Sequence, residues 1–317
     1  MNNSTAIVTL TINPCLDISA EVDRVVPTKK LRCQNDRRDP GGGGINVSRA
    51  ITILGGASTA FFPAGGSTGQ AIIDLLQTEK IACRSVELEG TNRQSFAVRE
   101  LESQEQFRFA LPGPEVGEKV WRKCLDEMRE LSPSPDFIIA SGSLPPGVPE
   151  DYYGRLADHF GDRDTKVVVD TSGEPLKKAL EQPVYLVKPN QRELEFLCDC
   201  SLDEERVQEK KCREMVTEGR CEVLVLTLGA NGALLTSRDE QTRVNGLEVE
   251  EVSAVGAGDS FVGALVLALH QGRDLQEAFL YGMAAGTAAL TTKATELCRK
   301  DDTEKFFEKL KQRQAEG

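Results

Sequence analysis

Short runs of apolar residues alternate with helical segments along most of the chain, and this alternation limits the folds open to it. The apolar runs end in glycine or polar turns and lie at 6–12, 136–142, 166–173, 184–190 and 222–232. Helical patterns fill the intervals at 149–160, 174–182 and 204–219. Strands that are apolar throughout and separated by helices are typical of a parallel sheet covered on both faces. The sequence therefore predicts an α/β fold with a mostly parallel sheet and a ligand site at the carboxyl ends of its strands.

Two segments depart from this alternation. Residues 15–38 carry charge and an alternating pattern without a good helix, and residues 92–111 read as a hairpin around ESQE. Neither segment suits a buried parallel sheet. We expect the two together to form a small β-rich lid over the strand ends, and an ordinary edge hairpin is the alternative.

Charge, hydropathy and cysteine content narrow the function. A net charge of −12 over 317 residues argues against binding to nucleic acid or to a membrane surface. No apolar run approaches the roughly 20 residues that span a bilayer, and the first residues lack an export signal. The nine cysteines are scattered and form no C-x-x-C, so we expect no disulfide framework or zinc site, and a reducing cytoplasm.

Residues 255–264, VGAGDSFVGA, place an aspartate at the start of a strongly apolar helix. A helix N-terminus offers unpaired N–H groups and partial positive charge, and glycines let an anion approach them closely. Asp259 would then lie beside a bound phosphate, as required of a base that takes the proton of an attacking hydroxyl. A simple helix cap is the alternative. Because the two histidines lie outside the glycine-rich motifs, a carboxylate is the expected base.

Three further stretches carry polar or glycine residues at turns. The run Gly41–Gly44 precedes a helix over 45–54 with Asn46 in its first turn, and a ligand cradle or a flexible turn both fit. Asn190 and Glu193 share one helix face, which suits a hydrated magnesium ion or a capping box. The third stretch, TLGANGALL, reads as a nucleotide-phosphate loop or as a plain turn between strands; its residues of interest are Thr227, Gly229 and Gly232.

Taken together and in this order, these stretches resemble the PfkB-type carbohydrate kinases of the ribokinase-like fold. The matching segments are GGGGINVSRA, KPNQREL, TLGANGA and VGAGDSFVGA, and the resemblance covers essentially the whole chain. It implies a single three-layer α/β/α kinase domain over 1–317 with a β lid near 15–38 and 92–111. It also implies ATP with Mg²⁺ as phosphoryl donor and a sugar hydroxyl as acceptor.

The opening LTINPCLDIS is similar to the branch of that family that phosphorylates sugar phosphates. Other stretches, among them KLRCQNDRRDPGGGGINV and ELCRKDDTEK, look closest to the minor-type 6-phosphofructokinases. Two related groups, the 1-phosphofructokinases and the tagatose-6-phosphate kinases, usually carry a lysine where this chain has Gly43. The resemblance thus implies transfer to the C1 hydroxyl of fructose 6-phosphate. Tagatose 6-phosphate or fructose 1-phosphate as acceptor, and a non-catalytic sugar-phosphate-binding regulator, stay open.

The resemblance also implies residue roles. Asp259 would be the base, and Gly256, Ala257 and Gly258 the anion hole. The sugar phosphate would meet Asp17, Lys30, Gly42, Gly43, Asn46, Arg93, Arg108 and Ser143. The ATP site would hold Lys188, Asn190, Thr227, Gly229, Gly232 and Gly258, with Asn190 and Glu193 placing magnesium, through water.

The resemblance implies a homodimer joined through the lids. Exposed strand edges in an isolated lid would otherwise leave apolar surface and unpaired backbone in water. Ser253 and Ala254 stand where many members have Asp-Thr, so dependence on a monovalent cation is left open.

Overall fold

The chain folds into two β-sheets and a set of covering helices. The computed structural model describes residues 6–161, 164–293 and 295–316, so both ends of the predicted domain 1–317 lie outside the described residues, as do 162–163 and 294. Its strands are β1 (Ile7–Leu10), β2 (Cys15–Val22), β3 (Gln34–Gly41), β4 (Thr59–Ala64), β5 (Ala82–Glu87), β6 (Arg93–Glu100), β7 (Gln106–Ala110), β8 (Phe137–Ser141), β9 (Lys166–Asp170), β10 (Val184–Val187), β11 (Cys221–Thr227), β12 (Ala233–Ser237) and β13 (Gln241–Val244). Its helices are α1 (Gly43–Ile53), α2 (Gly66–Thr78), α3 (Glu118–Arg129), α4 (Tyr152–Phe160), α5 (Gly173–Ala179), α6 (Gln191–Cys198), α7 (Glu205–Thr217), α8 (Ala257–His270), α9 (Leu275–Leu290) and α10 (Lys300–Glu316).

The larger sheet has nine strands within the described residues, in the order β13-β12-β11-β10-β9-β8-β1-β4-β5. All neighbours pair in parallel from β11 to β5, and the two pairings at one edge, β11 with β12 and β12 with β13, are antiparallel, so that β12 alone runs opposite to the other strands of this sheet within the described residues. The expected mostly parallel sheet is therefore confirmed. The predicted strands begin or end up to five residues away from the observed ones, because the polar turn residues at their ends leave the ladder.

Both faces of this sheet are buried, which is why its strands read as continuous apolar runs. In β8, Ile138 packs into a core with α3 to α7, while Phe137 and Ile139 pack into a second core with α1, α8, α9 and α10. Alternate side chains of one strand thus enter opposite layers. The predicted three-layer α/β/α architecture is confirmed.

The smaller sheet has the order β3-β2-β6-β7. Strands β2 and β6 pair in parallel, and the other two pairings are antiparallel. The two segments singled out in the sequence thus form one small β-rich sheet, and 92–111 contains the predicted hairpin. Strand β3 continues past residue 38 to Gly41, so the glycine run begins inside a strand.

Helices α1 and α8 bring their N-terminal ends to the carboxyl side of the large sheet. Helix α8 is buried on nearly every side, and Gly263 allows the close approach of α1, since a Cβ there would lie 3.0 Å from the Val47 carbonyl oxygen. No helix in the described part of the chain combines the length and hydropathy needed to cross a membrane.

Candidate active site

Asp259 occupies the first turn of α8, and its side chain does not cap that helix. The N-cap is Gly256, with φ at 75°, and no side chain among the described residues caps the helix. Instead, Asp259 Oδ2 accepts a hydrogen bond of 2.9 Å from Asn46 Nδ2 in the first turn of α1. The N-terminal turns of two buried helices therefore meet at one carboxylate.

The glycines before Asp259 are favoured by the backbone conformation and by close packing. A Cβ on Gly256 would overlap the Leu297 side chain, and its positive φ disfavours other residues. A Cβ on Gly258 would lie 3.3 Å from Lys188 Nζ. The uncapped helix start and an adjacent ammonium group together make this turn suitable for an anion.

Lys188 is buried and paired. It is 8% exposed, and its Nζ lies 3.3 Å from Asp170 Oδ1 at the end of β9. Burial lowers the pKa of Lys188, but the negative charges of Asp170, Glu193 and Asp259 together raise it by more than burial lowers it. The net shift of the pKa is therefore upward, and the lysine stays charged. Sequence analysis missed Asp170, although a carboxylate directly after a buried parallel strand is the pattern that identifies such positions.

The pKa of Asp259 is raised to about 7. The main cause is burial of the carboxylate by surrounding protein, followed by the negative charge of Asp170. The hydrogen bond from Asn46 and the charge of Lys188 oppose the rise, and Asp17 adds to it. A carboxylate with a pKa near neutrality is well matched to accept and release a proton at physiological pH.

Asp17 lies near the start of β2 in the small sheet, and three arginines act on its charge. Burial raises its pKa, while the charges of Arg93, Arg108 and Arg49 lower it by less. Asp17 and Arg108 line a cavity of about 20 Å³ together with Val255, the residue before Gly256. The structure thus brings Asp17, Arg93 and Arg108 together, close to the start of α8.

Asn13 connects two of the predicted sugar-phosphate residues. Its Nδ2 donates to Ser143 Oγ at 3.2 Å, and its Oδ1 accepts from Arg93 Nε at 3.1 Å. Sequence analysis did not single out Asn13; its signal is a polar residue in the turn after the first apolar strand. Lys30 lies apart, exposed in the segment between β2 and β3, and has no ion pair within the described residues.

Backbone conformation and close packing account for glycine at positions 42 and 43. Gly42 is the N-cap of α1 with φ at 110°, and a Cβ on Gly43 would overlap Ser141 Oγ at the end of β8. A side chain at position 43 therefore requires that strand end to move. Whether these glycines contact a sugar stays a prediction.

Asn190 and Glu193 form a complete capping box at the start of α6. Asn190 Oδ1 accepts from Glu193 N at 3.0 Å, and Glu193 Oε2 accepts from Asn190 N at 2.8 Å. The capping alternative is therefore present in the structure, and a role in holding magnesium stays a prediction. Burial is the main cause that raises the pKa of Glu193.

The turn after β11 joins it to the antiparallel β12, as the plain-turn alternative expects. Thr227 N donates to the Pro189 carbonyl at 3.0 Å, which places this turn beside Asn190. Gly232 has φ at 91°, and a Cβ there would overlap the Val244 carbonyl oxygen, whereas Gly229 faces open space. Backbone contact explains Gly232, and contact with ATP stays a prediction for all three residues.

The described residues contain no group of three or more histidine, cysteine, aspartate or glutamate side chains that could hold a metal ion.

Comparison with known proteins gives concordant matches. The model of a family described as pfkB family carbohydrate kinase matches residues 10–302. The ATP-dependent 6-phosphofructokinase isozyme 2 of Mycobacterium tuberculosis is 45% identical over 302 residues, which cover 95% of this chain and 89% of that protein. The isozyme 2 of Escherichia coli is 40% identical, with coverage of 95% and 97%. A 1-phosphofructokinase of Bacillus subtilis is more distant, at 30% identity with coverage of 96% and 97%.

Solved structures agree with these matches. The phosphofructokinase-2 of Escherichia coli in complex with potassium has a TM-score of 0.92 to this chain at 39% identity, covering 97% of this chain and 99% of that one. A tetrameric inhibited form of the same protein has a TM-score of 0.91 at 39% identity, with the same coverage.

Proposed function

The chain belongs to the pfkB family of carbohydrate kinases, and we propose that it transfers the γ-phosphate of ATP to the C1 hydroxyl of fructose 6-phosphate, giving fructose 1,6-bisphosphate. Membership of the family confirms the resemblance on which the sequence prediction depended. The relatives named as 6-phosphofructokinases, at 45% and 40% identity, support this acceptor over fructose 1-phosphate, since the 1-phosphofructokinase is at 30%.

The observation that carries the proposal is the setting of Asp259. Its carboxylate lies at an uncapped, glycine-lined helix start, and its pKa is about 7. In our account Asp259 accepts the proton of the C1 hydroxyl as that oxygen attacks the γ-phosphorus. The O–P bond to the sugar forms as the bond to the β-phosphate oxygen breaks, and ADP leaves with that electron pair.

Two groups in this chain would stabilise the transferring phosphoryl. The N–H groups in the first turn of α8 face the incoming phosphate, and the Lys188 ammonium lies beside Gly258. Because both are fixed before the substrates arrive, little reorganisation is needed when charge moves. Thr227 and Gly229 flank the space where we propose the rest of the nucleotide binds.

Magnesium fits the residues present. Glu193 Oε1 makes no hydrogen bond within the described chain, and Asp170 offers a second carboxylate next to Lys188. One or two carboxylates plus substrate phosphates are the usual protein contribution to a Mg²⁺ site. The ion would supply neutralising charge for the phosphate oxygens of ATP.

The sugar phosphate would bind under the small sheet. We propose that Arg93 and Arg108 hold its phosphate and that Asp17 and Asn46 hold its hydroxyls, with Gly42, Gly43 and Ser143 around them. Lys30 would join only if its loop moves or a second copy supplies it. The small sheet would act as a lid that excludes water, so that ATP is not hydrolysed.

The acid limb of kcat/KM is expected near pH 7, because Asp259 must be ionised to act and its free-enzyme pKa is about 7. Removing the negative charge of Asp170 as Asp170→Asn lowers the pKa of Asp259, so this limb moves to lower pH. The phosphate of the substrate also titrates, near pH 6, but its titration is the same for both enzymes. Initial rates from pH 5 to 9 check this, and an unmoved limb in Asp170→Asn contradicts the assignment.

We propose a homodimer through the small sheets. Strand β7 is an edge strand of that sheet, and Phe109 on it and Leu111 beyond it are 57% and 48% exposed. An edge strand with unpaired backbone groups and exposed apolar side chains is unfavourable in water without a partner. Phe109→Arg is expected to convert a dimer to monomer in sedimentation velocity, whereas Phe196→Arg, at a 50% exposed phenylalanine on α6, leaves the dimer intact. A tetramer that neither variant changes would contradict this interface.

We further propose that the protein works in a reducing cytoplasm, because all nine of its cysteines are free thiols.

The function is tested by following ADP release with magnesium-ATP as fructose 6-phosphate is added, and by identifying the product with phosphorus NMR. We expect ADP and fructose 1,6-bisphosphate in equal amounts. ADP without bisphosphate would indicate hydrolysis, and tight sugar-phosphate binding without ADP release would indicate a binding protein.

A further inference from the structure

Cys15 lies where the large sheet passes into the small one. It is the first residue of β2, and its register partners are Gly41 on β3 and Arg93 on β6. It is 3% exposed. Residues 15 and 17 of a strand point to the same face, so the thiol and the Asp17 carboxylate lie side by side.

The thiol hydrogen-bonds the carboxylate. Cys15 Sγ donates to Asp17 Oδ1 at 3.0 Å, and no other hydrogen bond to the Asp17 side chain occurs within the described chain. Gly41 leaves room for both groups, since a Cβ there would lie 2.9 Å from Cys15 Sγ and would overlap Asp17 Oδ2. One carboxylate oxygen is therefore held, and the other is left to accept a hydroxyl.

Cys15 acts here as a donor to Asp17. Burial, and next the charge of Asp17, raise the pKa of its thiol far above the usual range. A thiol that stays protonated is a poor nucleophile and a poor metal ligand. Its S–H group is then kept as a donor at neutral pH.

We propose that Cys15 is a positioning residue, which holds the Asp17 carboxylate in the orientation that accepts a hydroxyl of the sugar phosphate. This inference rests on the proposed function, because it concerns sugar binding at that site. Without the thiol the orientation of the carboxylate would not be fixed, since the charges of Arg93 on β6, Arg108 on β7 and Arg49 on α1 act on it without a hydrogen bond to it within the described chain. The charges of Asp17 and of Asp259 on α8 also act on each other.

Removal of the donor should affect sugar binding more than turnover. In Cys15→Ala we expect KM for fructose 6-phosphate to rise about 3- to 10-fold, with kcat within about twofold, as for loss of one hydrogen bond. KM for ATP should not change. Because the thiol favours the ionised carboxylate, its loss raises the pKa of Asp17. The pH dependence of 1/KM for the sugar phosphate should then shift toward higher pH on its acid side.

Cys15→Ser restores a donor and is expected to return KM to within about twofold of wild type. Cys124→Ala is the matched control, because it removes another fully buried thiol, on α3, away from this site. It should leave KM and the pH profile unchanged even if it lowers the melting temperature.

The proposal is overturned if Cys15→Ala keeps the wild-type KM and pH profile, or if Cys15→Ser is as impaired as Cys15→Ala. Either result can be obtained only if the wild-type enzyme phosphorylates fructose 6-phosphate. A wild-type enzyme that does not would instead refute the proposed function, so the two failures are distinguishable.

Discussion

Replacement of Asp259 by asparagine is expected to lower kcat by about 10²- to 10⁴-fold, the usual contribution of a positioned general base. The side chain keeps its size, and Asn46 Nδ2 still has an oxygen to bond at position 259. The dissociation constants for ATP and fructose 6-phosphate should therefore change little. Stopped-flow or steady-state rates, together with calorimetric titration of each substrate, separate the two effects.

The same variant should be more stable than wild type at alkaline pH. The pKa of Asp259 is higher in the folded protein than in the unfolded chain, so ionisation disfavours folding. That cost is absent below about pH 4, grows between pH 4 and 7, and is complete above pH 7. We expect Asp259→Asn to raise the free energy of unfolding by roughly 1–4 kcal/mol at pH 8 and by almost nothing at pH 4.

Asp274→Asn is the control for both measurements. Asp274 caps α9 by accepting a hydrogen bond of 2.8 Å from Glu277 N, a role that asparagine also fills. It should leave kcat and stability nearly unchanged. Near-wild-type turnover in Asp259→Asn would remove Asp259 from the role of base.

Arg49→Met is expected to lower the free energy of unfolding by about 3–5 kcal/mol, as when one partner of a buried ion pair is removed. Arg49 is 2% exposed, and its NH2 and Nε groups bond Asp39 at 2.9 Å and Glu79 at 2.8 Å. Methionine preserves the apolar length of the side chain but leaves Asp39, 2% exposed, with less positive charge around it. Urea titration measures the loss.

Arg122→Met is the matched control for Arg49→Met. Arg122 also bonds a carboxylate, Glu118, at 2.7 Å, but its side chain is 58% exposed. Exposed pairs contribute about 0–1 kcal/mol, so this variant should unfold almost as wild type does. Equal losses in the two variants would contradict the account of the Arg49 network.

The layers of the fold could be predicted from the sequence because burial on both faces leaves a strong signal. Strand β8, Phe137–Ser141, is fully buried, and its sequence FIIAS is apolar up to the last residue, so the burial is evident from the sequence. Strand β3 leaves no such signal, since QNDRRDPG is mostly exposed and charged. Most of β3 lies in the segment 15–38 that we expect in the lid, but its register with β2 and its extension to Gly41 depend on long-range contacts that local pattern does not encode.

The candidate site was predictable where glycines and a carboxylate occur together in one stretch, as at Asp259. Asp170, Asn13 and Cys15 were not predicted as site residues. Asp170 and Asn13 stand at or just after the end of an apolar strand, which is a local signal, but their partners are distant in sequence. Cys15 bonds Asp17, two residues on, and a thiol in a strand leaves no sequence signal for that bond. Asp170 acts on Lys188, Asn13 joins Arg93 to Ser143, and Cys15 depends on Gly41 for its space. Only the folded chain brings these pairs together.

The most direct test of the central claim compares kcat/KM for fructose 6-phosphate, tagatose 6-phosphate, fructose 1-phosphate and unphosphorylated fructose, with magnesium-ATP in excess. We expect fructose 6-phosphate to have the highest value, and fructose the lowest because it lacks the phosphate that Arg93 and Arg108 would bind. A higher value for tagatose 6-phosphate or fructose 1-phosphate would contradict the proposed acceptor, and no turnover with any of the four would contradict the proposed reaction.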